Sequence, residues 1–322
     1  MEDVEERIAE ALEVGKYVPA RKLAADAGCT DSELEAFLSS LKKRGYEIEV
    51  NPTLGVRLLS EPDVLSEREI AMELKTSFIG RAIHCYSTIG STNDLAKRLG
   101  EDGAEEGTVV IADEQRRGRG RFGRSWLSPK GEGIWMSVIL RPQAGLEPVT
   151  ALSLVAAYSV ATSVRELTGM RATIKWPNDV RVGEKKMCGI LAELDRDSAG
   201  GEFIVLGIGV NVNQVEFGED LAQAATSIRI ETGRIASRLP LIRRILENLE
   251  KFYVRARRDG FSSVIEKLRE ISTLVGKRVE VSMGEETVSG YVQDIDDRGR
   301  LIVRTDDGRI REILAGEADA VR

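Results

Sequence analysis

Apolar residues in the first sixty positions recur every three to four residues, the spacing of one helical face. Val4, Ile8 and Leu12 predict a helix over 4–14, and Val18-Pro19-Ala20 leads into a second, short one that ends near Ala27-Gly28. Thr30-Asp31-Ser32-Glu33 reads as a capping box for a third, with Leu34, Phe37, Leu38 and Leu41 on one side and Gly45 as its stop. Helix, short glycine turn and helix predict a helix-turn-helix. The runs 46–50 and 56–59, on either side of Asn51-Pro52-Thr53-Leu54-Gly55, add a hairpin and make residues 1–62 a winged helix-turn-helix, bounded by Glu61-Pro62-Asp63.

From residue 63 the pattern alternates between helical and strand periods. A linking helix over Ser66–Ile79 precedes a strand near 82–87, a helix from about 92, and strands over 108–113 and 134–140. A long helix near 148–168 follows, then strands over 172–176, 180–194 and 203–212, and amphipathic helices over 238–258 and 260–271. After Gly276, short alternating runs (279–281, 290–292, 301–303, 309–314) between Asp/Gly turns predict a small β-barrel. The whole reads as an α+β chain of three parts: 1–62, a mixed α/β domain over 63–272, and 273–322.

Length agrees with that division, since 322 residues exceed the usual single core. With 42% hydrophobic and 31% charged residues and no run of about 20 apolar positions, no membrane segment is expected. The acidic start Met1-Glu2-Asp3-Val4-Glu5-Glu6 is unlike a signal peptide, so the expected location is cytoplasmic. Cys29, Cys85 and Cys188 lack ligand spacing, and His84, the single histidine, reads as structural; neither a disulfide framework nor a fixed metal site is expected. Any catalysis falls to Lys, Arg, Asp and Asn. A net charge of −7 argues against general nucleic-acid binding. Residues 1–60 carry 8 Lys and Arg against 12 Asp and Glu, and the third helix opens with Asp31, Glu33 and Glu35, which a duplex repels. Arg21, Lys22, Lys42, Lys43 and Arg57 are the candidate phosphate contacts.

Four fragments of the middle domain carry chemistry. Arg116-Arg117-Gly118-Arg119-Gly120-Arg121-Phe122-Gly123-Arg124-Ser125-Trp126 packs five arginines into nine residues with three glycines between them. Arginine forks and exposed backbone N–H groups suit an anionic, phosphate-bearing ligand, and a solvated basic loop is the plainer reading. Ser91-Thr92-Asn93 stands at a strand-to-helix turn, where it caps the helix or also meets a polar ligand. Lys175-Trp176-Pro177-Asn178-Asp179 ends a strand and turns an amide and a carboxylate outward, or is an ordinary terminus. Lys185-Lys186 opens an apolar strand, as a surface hairpin also would.

Taken along the chain, Ser91-Thr92-Asn93, the arginine stretch, 175–179 and Lys185-Lys186 resemble the bifunctional biotin protein ligase / biotin operon repressor family, over nearly the whole chain. Residues 118–126 match its G-R-G-R-x-G-R-x-W motif at every fixed position, and 175–179 match its second motif. The resemblance implies a winged helix, a class II synthetase-like (biotin/lipoate ligase) catalytic domain and an SH3-like barrel. It further implies that biotin and MgATP form biotinyl-5′-AMP, from which biotin passes to a lysine of a biotin carboxyl carrier domain. It places Lys186, Arg121 and Asp179 as catalytic residues, Asp179 helping to deprotonate or orient the incoming lysine. Ser91, Thr92, Asn93, Gln115, Arg119 and Gly120 would bind biotin together with Arg121 and Lys186. Gly118, Trp126 (packed on adenine), Lys175, Asn178 and Asn211 would serve ATP or the adenylate together with Arg119, Arg121 and Lys186. Gly118 and Gly120 are expected to give the loop mobility. A homodimer and operator DNA are the further partners implied.

Three rivals stand beside this reading. A lipoate ligase shares the fold and the adenylate chemistry, a ligand-sensing transcription factor needs no catalytic lysine or aspartate, and a nucleic-acid protein would use the arginine loop as its contact.

Overall fold

The computed structural model describes residues 2–12, 15–43, 46–60, 63–142 and 149–321. Its chain divides into two compact units, Met1–Val64 and Leu65–Arg322. The stop expected at Gly45, the boundary at Glu61-Pro62, the last two positions of the first predicted helix and residue 148 of the long one lie outside the described residues.

In the first unit, α1 (Glu2–Ala11), β1 (Tyr17–Val18), α2 (Ala20–Ala27), α3 (Asp31–Lys43), β2 (Glu47–Asn51) and β3 (Gly55–Ser60) follow one another. Thr30 Oγ1 accepts from the Glu33 amide (3.3 Å) while the Glu33 carboxylate accepts from the Thr30 amide (2.8 Å), the reciprocal cap expected of this sequence. Gly28 ends α2 in the left-handed region. Ile8, Leu23, Leu34, Leu38, Leu41, Ile48, Val56 and Leu58 form the core. β1 pairs with β3, an edge the sequence pattern did not predict because two residues carry no periodicity. Arg57, a candidate phosphate contact, is held by Glu49 (3.0 and 2.5 Å) over the Tyr17 ring.

The second unit opens with a correction. In place of a helix over Ser66–Ile79 stands the six-residue α4 (Glu67–Met72), capped by Ser66. The chain then turns, because carboxylates distant in sequence capture its amides. Glu250 accepts from Ser77 (2.5 Å), Phe78 (2.9 Å) and Ile79 (2.9 Å), and Glu247 accepts from Lys75 (3.2 Å). Burial pushes the Glu250 carboxyl up, but the three N–H groups outweigh it and hold the group below its ordinary value.

Next come β4 (Ile83–Tyr86), α5 (Thr92–Glu101), β5 (Val109–Ala112), β6 (Gly133–Leu140), α6 (Val149–Thr168), β7 (Ala172–Lys175), β8 (Asp179–Val182), β9 (Lys185–Arg196) and β10 (Glu202–Asn211). They build a seven-stranded sheet in the order β4-β5-β6-β10-β9-β8-β7, in which β4 and β5 run parallel and every other pair antiparallel. A short α7 (Ile228–Thr232), absent from the sequence reading, precedes α8 (Arg238–Asp259) and α9 (Ser262–Arg269). Ile204, Leu206, Ile208 and Val210 of β10 face the core shared with α6 and α8. Phe203 and Val205 point the other way, into a smaller cluster with Ala96 of α5. Continuing along that face, the period of two brings Gly207, Gly209 and Asn211 to the surface that α5 leaves uncovered.

β11 (Arg278–Met283), β12 (Glu286–Ile295), β13 (Leu301–Thr305), β14 (Ile310–Ile313) and β15 (Glu317–Ala320) form a five-stranded antiparallel sheet, ordered β14-β13-β12-β11-β15. Val279, Val281, Val292, Leu301 and Val303 join the main core, so this sheet belongs to the same compact unit as the larger one. Trp176 Nε1 donates to Gly299 O (2.8 Å), binding the two sheets together.

Candidate active site

Glycine makes the floor. Gly209 of β10 pairs with Gly189 of β9, and Gly207 pairs with Leu191 and, on the other side, Ser137 of β6. Where neighbouring positions on this face carry bulky side chains, these strands carry none. The result is a cavity of about 400 Å³ against the sheet, of the size that takes a small organic ligand.

The arginine stretch is the lid side of this cavity, and it is an ordered hairpin. Trp126 N–H donates to Gly118 O (2.9 Å), Arg119 bridges Ser125, and Gly120 N–H donates to Arg124 O (2.7 Å). At its tip Phe122 and Gly123 both adopt positive φ (55° and 72°), which glycine tolerates and an exposed phenylalanine rarely adopts. Gly118 faces Trp126 O so closely that a Cβ would collide with it, so glycine is required here for close approach. Of the residues given a binding or catalytic role from sequence, it alone is off the cavity wall.

Ser91 caps α5 (Asp94 N–H to Ser91 Oγ, 3.5 Å) and lines the cavity. Thr92 gives both its N–H (2.8 Å) and its hydroxyl (3.0 Å) to Gln115 Oε1, and Gln115 Nε2 donates to Ser128 Oγ (2.9 Å). Buried Asn93 accepts from Ser137 Oγ (2.6 Å) and donates to Glu193 (2.8 Å). These groups form a neutral polar wall next to an apolar one of Met136, Ile190 and Leu191.

Cations line the same cavity. Lys186 Nζ is 2.6 Å from Asp179 Oδ1 and 5.4 Å from the centroid of the Trp126 ring. Arg121 is half-buried; it donates to Asn178 Oδ1 (3.0 Å) and Gly316 O (3.3 Å), both neutral. Burial lowers its pKa from the usual guanidinium value, against the pull of Asp179 and Glu317. Asn178 is itself fixed by donating to Ile190 O (2.9 Å). Arg119 is engaged differently: Glu193 takes both its NH groups (3.0 and 2.9 Å) and Asp94 one (2.9 Å). Lys175, only 14% exposed, pairs with Asp319, and Arg124 with Glu317 (2.6 Å), so β15 brings two carboxylates to the cavity rim.

Trp126 lies on the glycine floor: a Cβ at Gly209 would stand 2.5 Å from its Nε1, and one at Gly189 3.1 Å from its ring. Its buried N–H has no partner among the described residues. Asn211, 4% exposed, uses its amide internally, donating to Thr226 O (3.1 Å) and accepting from Gln214 (3.2 Å). Sequence reasoning missed Glu193, Asp319, Glu317 and the Gly189, Gly207 and Gly209 floor. Only the floor had a local signal, glycine at alternate positions of an otherwise apolar strand.

A glycine-floored cavity lined by neutral polar and by basic side chains, beside an Arg-Gly hairpin at a mixed sheet, defines an α/β protein with a small-ligand cavity. The chain belongs to the biotin protein ligase family. Residues 85–211 match the biotin/lipoate A/B protein ligase family and residues 274–319 the biotin protein ligase C terminal domain. The bifunctional ligase/repressor BirA of Bacillus subtilis is 34% identical over 306 residues, 94% of either chain. The biotin–[acetyl-CoA-carboxylase] ligase of Mycobacterium tuberculosis is 35% identical over 268 residues, 80% of this chain and 96% of that one. A biotin protein ligase from Aquifex aeolicus, solved in complex with biotin and ATP, superposes with a TM-score of 0.67 at 32% identity, over 75% of this chain and 99% of its own.

Proposed function

We propose that this protein is an ATP-dependent biotin protein ligase that makes biotinyl-5′-AMP and passes biotin to one lysine of a biotin carboxyl carrier domain. The single observation that carries the reading is the meeting, in one cavity, of the neutral Ser91–Thr92–Asn93–Gln115 wall with Lys186, Asp179 and Arg121. A buried urea needs its donors and acceptors paired, which the neutral wall supplies. A biotin carboxylate oxygen attacks the α-phosphorus, the bond to the β-phosphate oxygen breaks, and pyrophosphate leaves. Lys186 and Arg121 offset the negative charge that gathers in that transition state. Arg121 suits the task because its hydrogen-bond partners, Asn178 and Gly316 O, are neutral. In the second step the carrier amine attacks the acyl carbon and AMP leaves. A free lysine titrates at about 10.4, so Asp179 helps remove or orient the amine's proton.

Among the described residues no group of three or more His, Cys, Asp or Glu is placed to hold a metal ion. Mg²⁺ belongs to the proposal as the counter-ion of ATP. Trp126 would leave the floor and pack on adenine, with Lys175 and Asn178 nearby and Asn211 holding the wall behind. The first unit, read as a winged helix, and the five-stranded sheet, read as an SH3-like barrel, complete the three-part division at about 62 and 272. We further infer a cytoplasmic, biotin-responsive repressor that dimerises to bind an operator, supported by the likeness to BirA of B. subtilis. Within this reading Arg21, Lys22, Lys42 and Lys43 are better phosphate contacts than Arg57, which Glu49 already holds.

The test mixes the full chain with biotin, MgATP and a carrier domain and follows pyrophosphate and the carrier's mass. A gain of one biotin, lost in Lys186→Ala, and more free adenylate from Arg121→Gly, are expected. Labelling with lipoate instead, or ligand binding without pyrophosphate, would refute the assignment.

A further inference from the structure

Three arginines stand on the hairpin, and the structure sorts them by what their charges already face. Around Arg119, one positive charge meets two negative ones, Glu193 and Asp94, for a local balance of −1. Both of its NH groups are filled by Glu193 at bidentate distances. Burial pulls the Arg119 pKa down, yet the two carboxylates outweigh it and hold the group above its usual value. Such a cluster repels a phosphate, whereas the two carboxylates that act on Arg121, Asp179 and Glu317, are each already paired with another cation, Lys186 and Arg124.

Glu193 is no loose surface acid. Its second link is to Asn93, whose amide is trapped: a Cβ at Gly207 would strike Asn93 Oδ1, and Ser137 Oγ donates to that same oxygen. Ser137 Oγ also lies 2.8 Å from Thr92 Oγ1, and Thr92 reaches Gln115, which reaches Ser128 on the chain leaving the hairpin. Ser128 Oγ in turn donates to Trp126 O (3.1 Å). A continuous run of polar contacts therefore leaves the hairpin at its base and returns to it at Arg119. It passes through the wall that the proposed function gives to the ureido ring.

We propose that Glu193 is a positioning residue and that Arg119 is the tether through which it fixes the arginine hairpin over the cavity, leaving Arg121 and Lys186 to meet the phosphate. In this division the hairpin is held from beneath by the polar wall itself, so a ligand that takes hydrogen bonds from Thr92 and Gln115 acts on the same network that holds the lid. The inference rests on the ligase reading only for its chemical readout.

Limited trypsin digestion of the full-length protein gives a readout independent of activity, since trypsin cuts after arginine and the hairpin carries Arg119, Arg121 and Arg124. Glu193→Gln keeps a hydrogen-bond acceptor for Asn93 and removes the charge that Arg119 grips. Nicking within 116–124 should quicken at least fivefold while the melting temperature stays within about 2 °C. In the coupled assay the KM for ATP should stay within twofold of the parent and free adenylate release should rise severalfold. An unchanged nicking rate overturns the tether, as does a tenfold rise in the KM for ATP without faster nicking, which would make Arg119 a phosphate ligand. If Glu193→Gln melts far below the parent, Asp94→Asn, which removes one contact of the three, replaces it with the same expectations on a smaller scale. A parent that forms no adenylate refutes the ligase reading, while the nicking comparison still judges the tether.

Discussion

Replacing Glu250 with alanine tests how far one carboxylate shapes the entry to the larger sheet. Its two oxygens accept three backbone N–H groups that differ in access to water: Ile79 is buried, Phe78 half-buried and Ser77 exposed. An unsatisfied buried N–H costs about 1–3 kcal/mol, so Ile79 contributes that in full, Phe78 roughly half, and Ser77 little because water replaces the carboxylate. The expected loss is about 2–4 kcal/mol. At roughly 2–4 °C per kcal/mol for a unit of this size, the melting temperature should fall by about 5–15 °C. The pH dependence has a definite sign. Because the folded carboxyl sits below its unfolded value of 4.5, the stabilisation is present above that value and is lost as pH falls through the folded one. Thermal or urea melts of parent and Glu250→Gln at pH 7 and pH 3.5 isolate the term as a difference. A loss under about 0.5 kcal/mol for Glu250→Ala at pH 7, or a parent-to-Gln difference that grows on acidification, would refute the reasoning.

Gly207→Ala should drive a methyl into Asn93 Oδ1 and displace the polar wall, an overpacking worth about 1–3 kcal/mol; isothermal titration should show biotin affinity lower by about tenfold with the fold intact. Burial pushes the Cys188 thiol far up and the Cys85 thiol up to about 12, so iodoacetamide at pH 8 should leave both unlabelled in the native protein and label both in urea, as peptide mass mapping would report.

The parts of the fold legible in sequence were those whose cause is local. The Thr30–Glu33 cap and the Gly28 turn are each written within a few residues. The linking helix fails for the opposite reason: its amides are taken by Glu247 and Glu250, some 170 positions away, and no periodicity in 66–79 signals that capture. The candidate site divides likewise. The arginine hairpin and 175–179 are contiguous motifs, and the cavity gathers both. The carboxylates that decide which of those cations stay available, Glu193, Glu317 and Asp319, look like ordinary surface acids until strand pairing brings them across the cavity. Gly118 was read as a source of mobility, whereas its setting against Trp126 O is one of close packing.

The carbonyl of Gly316 and the side chains of Glu317 and Asp319 stand on one side of the cavity, in and next to a strand that pairs only with β11. Translation runs from the N-terminus, so the glycine floor, the hairpin and Lys186 all exist before that side does. A growing chain can thus fold its sheet and its lid while Arg121, Arg124 and Lys175 still lack their last partners.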